Sequence, residues 1–399
     1  MTAPTLPSDF TILAVETSCD ETAAAVVRGG SEILSNVVAS QIDEHRRYGG
    51  IVPEVASRQH ILTLPAVLED ALARLPSGWE SIHAVAATYG PGLSGALMTG
   101  LNAAKAMAWA RDLPFVGVNH LEAHIYANWL VPEGEKQTSR QADKQAEHSI
   151  ADSLSSSLPA PSSLPTFPLV ALVVSGGHTL LALLEGHGCY RLLGQTRDDA
   201  AGEAFDKAAR IMGLGFPGGP AIQRAAAAAP GGVTLPRAWL RDSYDFSFSG
   251  LKTAVLHQVQ GRRERDAKVP GIRDQGPEAE GRGGVAQSPT PDSRSSAPDK
   301  YIAQLAFAFQ ESVVDVLVTK AVDAARAFDA TEILLAGGVA ANARLRMELA
   351  RRAPVPVRCP PLVLCTDNAA MIAAAAFYRF EAGRQSGWDL DVEPNLKLA

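Results

Sequence analysis

Cysteine is scarce in this sequence, and the few cysteines lie far apart. The chain has 399 residues and four cysteines, Cys19, Cys189, Cys359 and Cys365, with no C-x-x-C pair among them. This spacing does not fit the disulfide framework of a small secreted module. We therefore expect reduced thiols and a cytoplasmic location.

The sequence also lacks an obvious export signal and an obvious membrane span. The N-terminal stretch "MTAPTLPSDF" has neither a basic segment nor an apolar one, so we expect no export signal. The longest uncharged run, residues 84–104, is long enough to cross a bilayer, but it contains Gly90-Pro91-Gly92, Gly95 and Gly100. A buried strand, a turn and a helix fit that run better, so we expect no membrane partner.

An excess of positive charge is missing too. The formal net charge is −7, from 36 Lys and Arg against 43 Asp and Glu, and charge alone therefore does not indicate a nucleic-acid-binding protein. Any contact with RNA would need a local basic patch or a partner protein. With 46% hydrophobic residues, the chain is long enough for two domains with full-sized cores.

Two segments have few large apolar residues and are predicted to be flexible insertions, residues 133–166 and 261–299. Outside them a pattern occurs twice. "TILAVETSCDETAAAVV" and "PLVALVVSGGHTLLALLE" each predict a strand, a tight turn and a returning strand. Each is followed by a strand, a glycine turn and a helix, in "AVAATYGPGLSGALMTGLNAAKAMAWA" and "EILLAGGVAANARLRMELARR". The sequence therefore predicts a duplicated α/β architecture with a cleft between two similar halves.

The predicted boundaries follow from this repeat. An N-terminal α/β lobe spans residues 10–132, and a second lobe spans residues 167–366. A C-terminal helix, residues 367–383, is expected to pack back on the first lobe, and residues 384–399 form a tail. Glycine turns and helix N-termini facing the cleft offer backbone N–H groups to phosphates, so the cleft is predicted to bind a nucleotide.

The stretch "VNHLEAHIYA" has two histidines at the spacing of one helical turn. Asn119 is a good N-cap, so His120 and His124 would share one face at the start of a helix, where both could bind one metal ion. Asp367, before an Ala-rich helix, is the best third ligand. From the residues alone, however, N-capping is the favoured role for Asp367, and many histidine pairs at this spacing bind no metal.

Two other motifs are close to matching known signatures. H-E-x-x-H would indicate a zinc peptidase, but the acid here is Glu122, two residues after His120 and so about 200° around the helix. Gly90, Gly92 and Gly95 fit G-x-G-x-x-G, but Asn119 stands where a dinucleotide site would need an acid. We favour a tight strand-to-helix connection that lines the cleft.

Several further residues are candidates for ligand contacts, each with an ordinary structural alternative. Ser175, Gly176 and Gly177 could bring backbone donors to a phosphate or simply form a hairpin turn. Asp206 could accept both hydroxyls of a ribose or lie on a solvated helix face. The remaining candidates are Gly218 and Gly219 against a sugar or base, Asn342 at a helix start, and the turn acids Glu16, Asp20 and Glu21.

As an ordered set, the motifs closely resemble the bacterial TsaD family, the tRNA adenosine threonylcarbamoyltransferases. The resemblance covers nearly the whole chain outside the two insertions and is carried by "ETSCDET", "GGIVPEVASRQH", "GPGLSGALMTG", "NHLEAH", "VVSGGHT", "DDAAGEAFDK", "FPGGPAI", "FSFSGLKTA", "AGGVAAN" and "CTDNAAM". It implies an actin, hexokinase and heat-shock-chaperone (ASKHA) type of fold, with the nucleotide cleft between the lobes.

The resemblance also implies roles for individual residues. The implied metal ligands are His120, His124 and Asp367, holding one divalent ion per subunit, iron (Fe²⁺) or zinc (Zn²⁺). The implied substrate contacts are Val173, Val174, Ser175, Gly176, Gly177, Asp206, Gly219 and Asn342. Asp20 and Glu21 are the candidates for a catalytic base.

The implied reaction moves threonylcarbamoyl from threonylcarbamoyl-AMP to the exocyclic amine of the adenosine 3′ of the anticodon, in tRNAs that read codons beginning with A. TsaB and TsaE, the latter an ATPase, are the implied partner proteins. Archaeal and eukaryotic relatives have Tyr and Asn where this chain has Val173 and His178, which favours a bacterial-type protein. The alternatives are a non-catalytic nucleotide-binding scaffold, which would not need the histidine pair, and a metallopeptidase.

Overall fold

Two five-stranded sheets with the same topology form the centre of the protein. The structure, a computed structural model, describes residues 6–131, 164–267 and 299–398. The first sheet has the strand order β3-β2-β1-β4-β5 and the second the order β10-β9-β6-β7-β8. The strands of the first sheet are β1 Thr11–Glu16, β2 Glu21–Arg28, β3 Glu32–Ser40, β4 Ala84–Gly90 and β5 Phe115–Asn119. Those of the second are β6 Leu169–Val174, β7 Thr179–Gly186, β8 Cys189–Gln195, β9 Glu332–Ala336 and β10 Val357–Arg358.

Each sheet begins with an antiparallel meander and continues with parallel strands. In the first sheet β1 pairs antiparallel with β2 and parallel with β4. In the second sheet β6 pairs antiparallel with β7 and parallel with β9. The predicted duplication and both predicted hairpins are therefore confirmed.

The helices follow the strand-to-helix units that the sequence predicts. Those of the first half are α1 Ile42–Arg46, α2 Pro53–Ala73, α3 Ser94–Ala110 and α4 His120–Tyr126. Those of the second half are α5 Ala201–Met212, α6 Gly218–Ala228, α7 Ser249–Ala267, α8 Lys300–Ala327 and α9 Ala343–Arg352, and the last helix is α10 Ala369–Glu381. The central strands are apolar and fully buried, as parallel strands covered on both faces must be.

Helices α4 and α10 lie in a core shared by both sheets. One cluster of buried side chains contains Ile12 and Val118 of the first sheet, Ala171 of the second, and most of the Ala-rich helix α10. The small side chains of α10 allow close packing against β1 and β2. This helix carries the chain from the second sheet back to the first, and its start faces the cleft.

Helix α8 is the one helix of the described residues that is long and apolar enough to cross a membrane. Of its most apolar stretch of 18 residues, 67% is buried inside the protein. Its buried side chains, among them Phe309 and Leu317, belong to the core beneath the second sheet. This burial is typical of a core helix in a folded domain.

The predicted start of the second insertion differs from the structure. Residues 261–267 are predicted to belong to that insertion, but they continue helix α7, because the Arg, Glu and Ala residues of "RRERDA" favour a helix. The rest of that segment up to 298, and most of the first insertion, lie outside the described residues. The tail packs on the first sheet, where Asn119 donates a hydrogen bond to the Lys397 carbonyl over 2.8 Å.

Candidate metal centre and nucleotide cleft

The turns of the two antiparallel hairpins face each other across a cavity of about 660 Å³. The first turn contributes Ser18 to Glu21, and the second contributes Ser175 to His178. The strand-to-helix connection Pro91–Leu93 lines the same cavity. The prediction that both hairpin turns face the cleft is therefore confirmed.

Helix α4 begins at one end of this cavity, where His120 belongs to the lining, and His124 lies one turn further along the helix. Asn119 caps the helix as predicted, because its side chain accepts hydrogen bonds from the N–H groups of Leu121 (2.8 Å) and Glu122 (3.3 Å). The rings of His120 and His124 are 4.6 Å apart between centroids and almost perpendicular. Both side chains are buried.

Asp367 completes a three-residue cluster with these histidines. Its Oδ1 lies 3.5 Å from His120 Nε2 and 3.2 Å from His124 Nε2. The three potential ligand atoms all lie within 4.8 Å of one another, close enough to bind one ion. Two segments that are far apart in the sequence are thus brought together by the packing of α4 against α10.

Asp367 does not cap helix α10, which was its favoured role from the residues alone. The cap is the next residue, Asn368, whose side chain accepts a hydrogen bond from Met371 N–H over 3.1 Å. The N-capping interpretation of Asp367 is therefore wrong. Asp367 stands one residue before the cap, where its carboxylate is free to face the histidines.

The donor set fits a divalent cation. Among the described residues, neither ring nitrogen of the fully buried His124 has a hydrogen-bond partner, and burying such an atom without one is costly. A cation bound by Nε2 would satisfy that nitrogen. Two imidazoles and one carboxylate suit either iron or zinc and leave positions for other ligands.

Glu16 orients His120 from behind, and sequence reasoning did not find this role. Glu16 Oε2 accepts from His120 Nδ1 over 3.2 Å and from the Thr88 hydroxyl over 2.6 Å. Donation through Nδ1–H directs Nε2 of His120 at Asp367, and a cation bound there would replace the proton on Nε2. No spacing signal links residues 16 and 120, because the pairing depends on how β1 lies beside β4 and β5.

The carboxylates make the site strongly negative around its histidines. Burial alone would lower the pKa of His120, but the charges of Asp367 and Glu16 raise it to about 9. Burial would raise the pKa of Asp367, yet His120 and His124 hold it well below its usual range. The site thus stabilises positive charge between these side chains.

A second cavity of about 390 Å³ adjoins the first on the side of the second sheet. Gly176, Asp206 and Gly338 line both cavities. Gly219 and Asn342 line only the second. A Cβ added to Gly176, Gly219 or Gly338 would meet no protein atom within 4 Å, so these backbones border open space that a ligand can approach.

Two of these side chains also have structural partners. Asp206 Oδ1 accepts from the Gly218 N–H over 2.7 Å at the start of α6, which leaves its other oxygen for a ligand. Asn342 caps helix α9 and donates to Gln310 Oε1 over 3.0 Å. The interpretation of "AGGVAAN" as a strand-to-helix junction is therefore correct, although the amide is buried rather than exposed.

Of the remaining predicted site residues, two lie in the core of the second sheet and two line the first cavity. Val173 and Val174 are fully buried in β6 and do not line either cavity. Asp20 and Glu21 line the first cavity, on the turn that follows β1. Burial, together with the charges of Asp367 and Asp20, raises the pKa of Glu21 to about 10.

Glu122 points away from the histidines, as its helical position predicts. Its carboxylate accepts from Arg379 over 2.6 Å and from the Tyr190 hydroxyl over 2.7 Å. It is therefore committed to a buried ion pair between α4 and α10. The role of general base in a metallopeptidase is not available to it.

We expect Glu122→Gln to affect stability without affecting the cavity. The substitution removes the negative partner of Arg379 and weakens a charge-assisted hydrogen bond, so the free energy of unfolding should fall by about 1–3 kcal/mol. Metal content should not change. Chemical denaturation and metal analysis test this, and a loss of metal in the folded variant would contradict it.

The chain has many close relatives among known proteins. The profile described as "TsaD: tRNA N6-adenosine threonylcarbamoyltransferase" matches residues 32–138 and 148–374. A protein of that name from Thermomicrobium roseum is 53% identical over 388 residues, covering 97% of this chain and 96% of its own. One from Bacillus cereus is 46% identical over 392 residues, covering 97% and 96%.

Solved structures agree on the fold. HypF of T. kodakarensis superposes with a TM-score of 0.53 at 13% identity, covering 94% of this chain and 48% of HypF. A full-length HypF in a phosphate- and nucleotide-bound form also gives 0.53, at 12% identity, covering 97% and 48%. These neighbours have the ASKHA fold, which confirms the predicted fold class. From the profile match and the identities, the chain belongs to the TsaD family of tRNA N6-adenosine threonylcarbamoyltransferases.

Proposed function

We propose that this protein transfers a threonylcarbamoyl group to the N6 amine of an adenosine in tRNA. The family supplies the enzyme class and the tRNA substrate. The observation that supports the proposal within the site is the convergence of His120, His124 and Asp367 beside two glycine-lined cavities. A nucleotide switch without catalysis would have no use for that cluster.

The donor we propose is threonylcarbamoyl-AMP, and the acceptor is the adenosine 3′ of the anticodon in tRNAs that read codons beginning with A. A bond forms between N6 and the carbamoyl carbon, the bond from that carbon to the phosphate oxygen breaks, and AMP leaves. His120, His124 and Asp367 would hold one Fe²⁺ or Zn²⁺ ion per subunit. When bound, the ion supplies Lewis-acid polarisation of the carbamoyl carbonyl.

The chain's own residues would bind and orient the leaving nucleotide. The backbone N–H groups of Gly176 and Gly177 can approach its phosphate closely, because no Cβ stands in the way. The N–H of Ser175 donates to the His178 carbonyl over 2.8 Å and holds the turn. The free oxygen of Asp206 can accept from the ribose hydroxyls, and Gly219 and Asn342 border the space for the base. Val173 and Val174, buried in β6, can contribute only by holding this turn.

Positioning the two reactants in one cavity would supply much of the rate. For the proton of the attacking amine we propose Asp20 as the acceptor. Glu21 is the weaker candidate, because its raised pKa of about 10 leaves the group protonated near neutral pH. Both acids lie on the turn that lines the cavity.

The reaction also needs other proteins, which we propose by family membership. A separate enzyme supplies threonylcarbamoyl-AMP, and TsaB and TsaE act with this chain in the cytoplasm. We therefore propose a test by reconstitution of these components with labelled threonine, bicarbonate, ATP and tRNA. Label should enter tRNA only when this chain is present, and label in the arm that omits it would refute the proposed function.

A further inference from the structure

An exposed aromatic side chain directly precedes residues that line the first cavity. The connection from α1 to α2, here called the rim loop (residues 46–51), places Gly49, Gly50 and Ile51 in the cavity lining. Tyr48, the residue before them, is 61% exposed. No other ring stacks on Tyr48 in the part of the chain that the structure describes. A single exposed ring is ordinary on a protein surface, so its position beside the cavity is what points to a ligand.

The rim loop is fixed by its own hydrogen bonds and by a buried histidine. The N–H groups of Tyr48 and Gly50 donate to the His45 carbonyl over 3.0 and 3.3 Å. The side chain of His45 is fully buried, and its Nδ1 accepts from the Val52 N–H over 3.3 Å. Val52, which follows the loop, is thus hydrogen-bonded to His45, which precedes it.

A chain of buried side chains connects this loop to the turn after β1, which also lines the cavity. His45 Nε2 donates to Gln41 Oε1 over 3.3 Å, and Gln41 Nε2 donates to His60 Nδ1 over 3.3 Å. His60 Nε2 then donates to the Cys19 carbonyl over 3.1 Å. His60 Nδ1 also lies 2.8 Å from the Thr22 hydroxyl, so strand β2 helps to fix this ring. These hydrogen-bonded side chains fix the position of the rim loop relative to the turn that carries Asp20.

The other lobe also holds the rim loop. Arg210 of helix α5 lines the first cavity and donates a hydrogen bond to the Gly49 carbonyl. The loop is therefore held from both sides of the cleft, and Tyr48 is presented on a backbone prepared before any ligand binds. Ordering the loop then costs little on binding.

The rim loop also carries two cationic side chains, next to Tyr48 in the sequence. Arg46 and Arg47 precede Tyr48, and their ion pairs with Asp43 (2.8 Å) and Glu44 (3.4 Å) lie on the surface. Such exposed pairs are weak, so a phosphate can compete for both cations. An aromatic ring beside cations is the combination that binds unpaired nucleotides, by stacking and by contacts with the backbone.

A tRNA substrate would bring an unpaired base to this place. The target adenosine has to leave its stack in order to reach a reacting group inside a cavity, and its neighbour then loses a stacking partner. We propose that Tyr48 stacks on the tRNA base next to the target adenosine and so compensates for that loss. This inference rests on the proposed function and makes Tyr48 a positioning residue for the RNA.

The test compares Tyr48→Ala with Tyr48→Phe in the reconstituted system. Loss of the ring should raise the KM for tRNA, and the Kd of an anticodon stem-loop, by about 5- to 150-fold, as expected for one base stack. The KM for the threonylcarbamoyl donor should stay unchanged. Tyr48→Phe should keep the wild-type values, because it keeps the ring. Trp109→Ala is the matched control, since Trp109 is 73% exposed on α3 and lines neither cavity.

A fluorescent base gives a readout that a structural role would not change. With 2-aminopurine placed beside the target adenosine, binding should quench the fluorescence in the wild type and in Tyr48→Phe, and not in Tyr48→Ala. Unchanged tRNA binding and quenching in a folded Tyr48→Ala variant would overturn the proposal. So would a variant that loses a partner protein and keeps its affinity for RNA. A wild-type protein that quenches the fluorescence and transfers no label would instead count against the proposed function.

Discussion

Replacing His124 with alanine is expected to remove the bound metal and, with it, most of the transfer activity. The substitution leaves His120 and Asp367 as the only protein ligands in this cluster. Loss of an orienting group behind a ligand already weakens metal affinity by about 10- to 100-fold, and loss of a ligand itself should exceed that range. The carbamoyl carbonyl would then lack its Lewis acid, so kcat should fall by at least about 100-fold.

The fold should survive this substitution. When His124 is replaced, Asp367 Oδ1 still has His120 Nε2 at 3.5 Å, so the carboxylate retains an imidazole partner. Circular dichroism, metal analysis and single-turnover transfer on the same preparation measure the three quantities. His257→Ala is the control, because that histidine is exposed on helix α7 and far from the cluster in the sequence. If the His124 variant kept stoichiometric metal and wild-type transfer, the three-ligand site would be wrong.

The sequence predicts the fold well because its repeats are local. Each hairpin and each strand-to-helix unit is encoded by apolar runs separated by glycine or polar turns, and these determine both sheets. The ends of helices are harder to predict from the sequence. The end of α7 at Ala267 lies within a segment whose composition resembles a loop, because charged residues fit a solvent-facing helix and a loop equally well.

Only part of the site can be predicted from the sequence, because some of its residues lie far apart along the chain. His120 and His124 share one helix, so their spacing reveals them. The role of Asp367 depends on which of two adjacent residues caps α10, and the structure gives the cap to Asn368. Glu16 lies 104 positions from His120 in the sequence and contacts it only through the sheet. Pairings of this kind have no local signal.

The turn of the second hairpin, at Ser175 to Gly177, packs closely against Gly202 of helix α5. Gly202, in the first turn of α5, donates its N–H to the Ser175 carbonyl over 3.2 Å, and Glu203 N–H donates to the Gly176 carbonyl over 3.1 Å. A Cβ on Gly202 would lie 2.5 Å from the Ser175 oxygen and 2.7 Å from Gly176 Cα. Because these are backbone atoms, the turn itself would have to move.

Gly202→Ala is therefore expected to lower transfer by about 100-fold, the loss that follows a shift of about 1 Å in a binding group. Overpacking should also cost about 1–3 kcal/mol of stability, although alanine by itself favours the helix. Metal content should stay at the wild-type level, since none of the three proposed ligands belongs to this turn or to helix α5. Gly250→Ala is the matched control, as its Cβ would meet nothing within 4 Å.

The combination of results distinguishes two explanations for a loss of activity. A variant that keeps its metal and loses affinity for the adenylate shows that the turn holds the nucleotide, which is the role proposed for Ser175 to Gly177. A variant that binds the adenylate normally, with wild-type kcat, would show that this turn tolerates displacement and that the nucleotide is held elsewhere. Because His124→Ala is expected to give the opposite pattern, with metal lost and adenylate binding retained, the two substitutions together separate metal binding from nucleotide binding in one cleft.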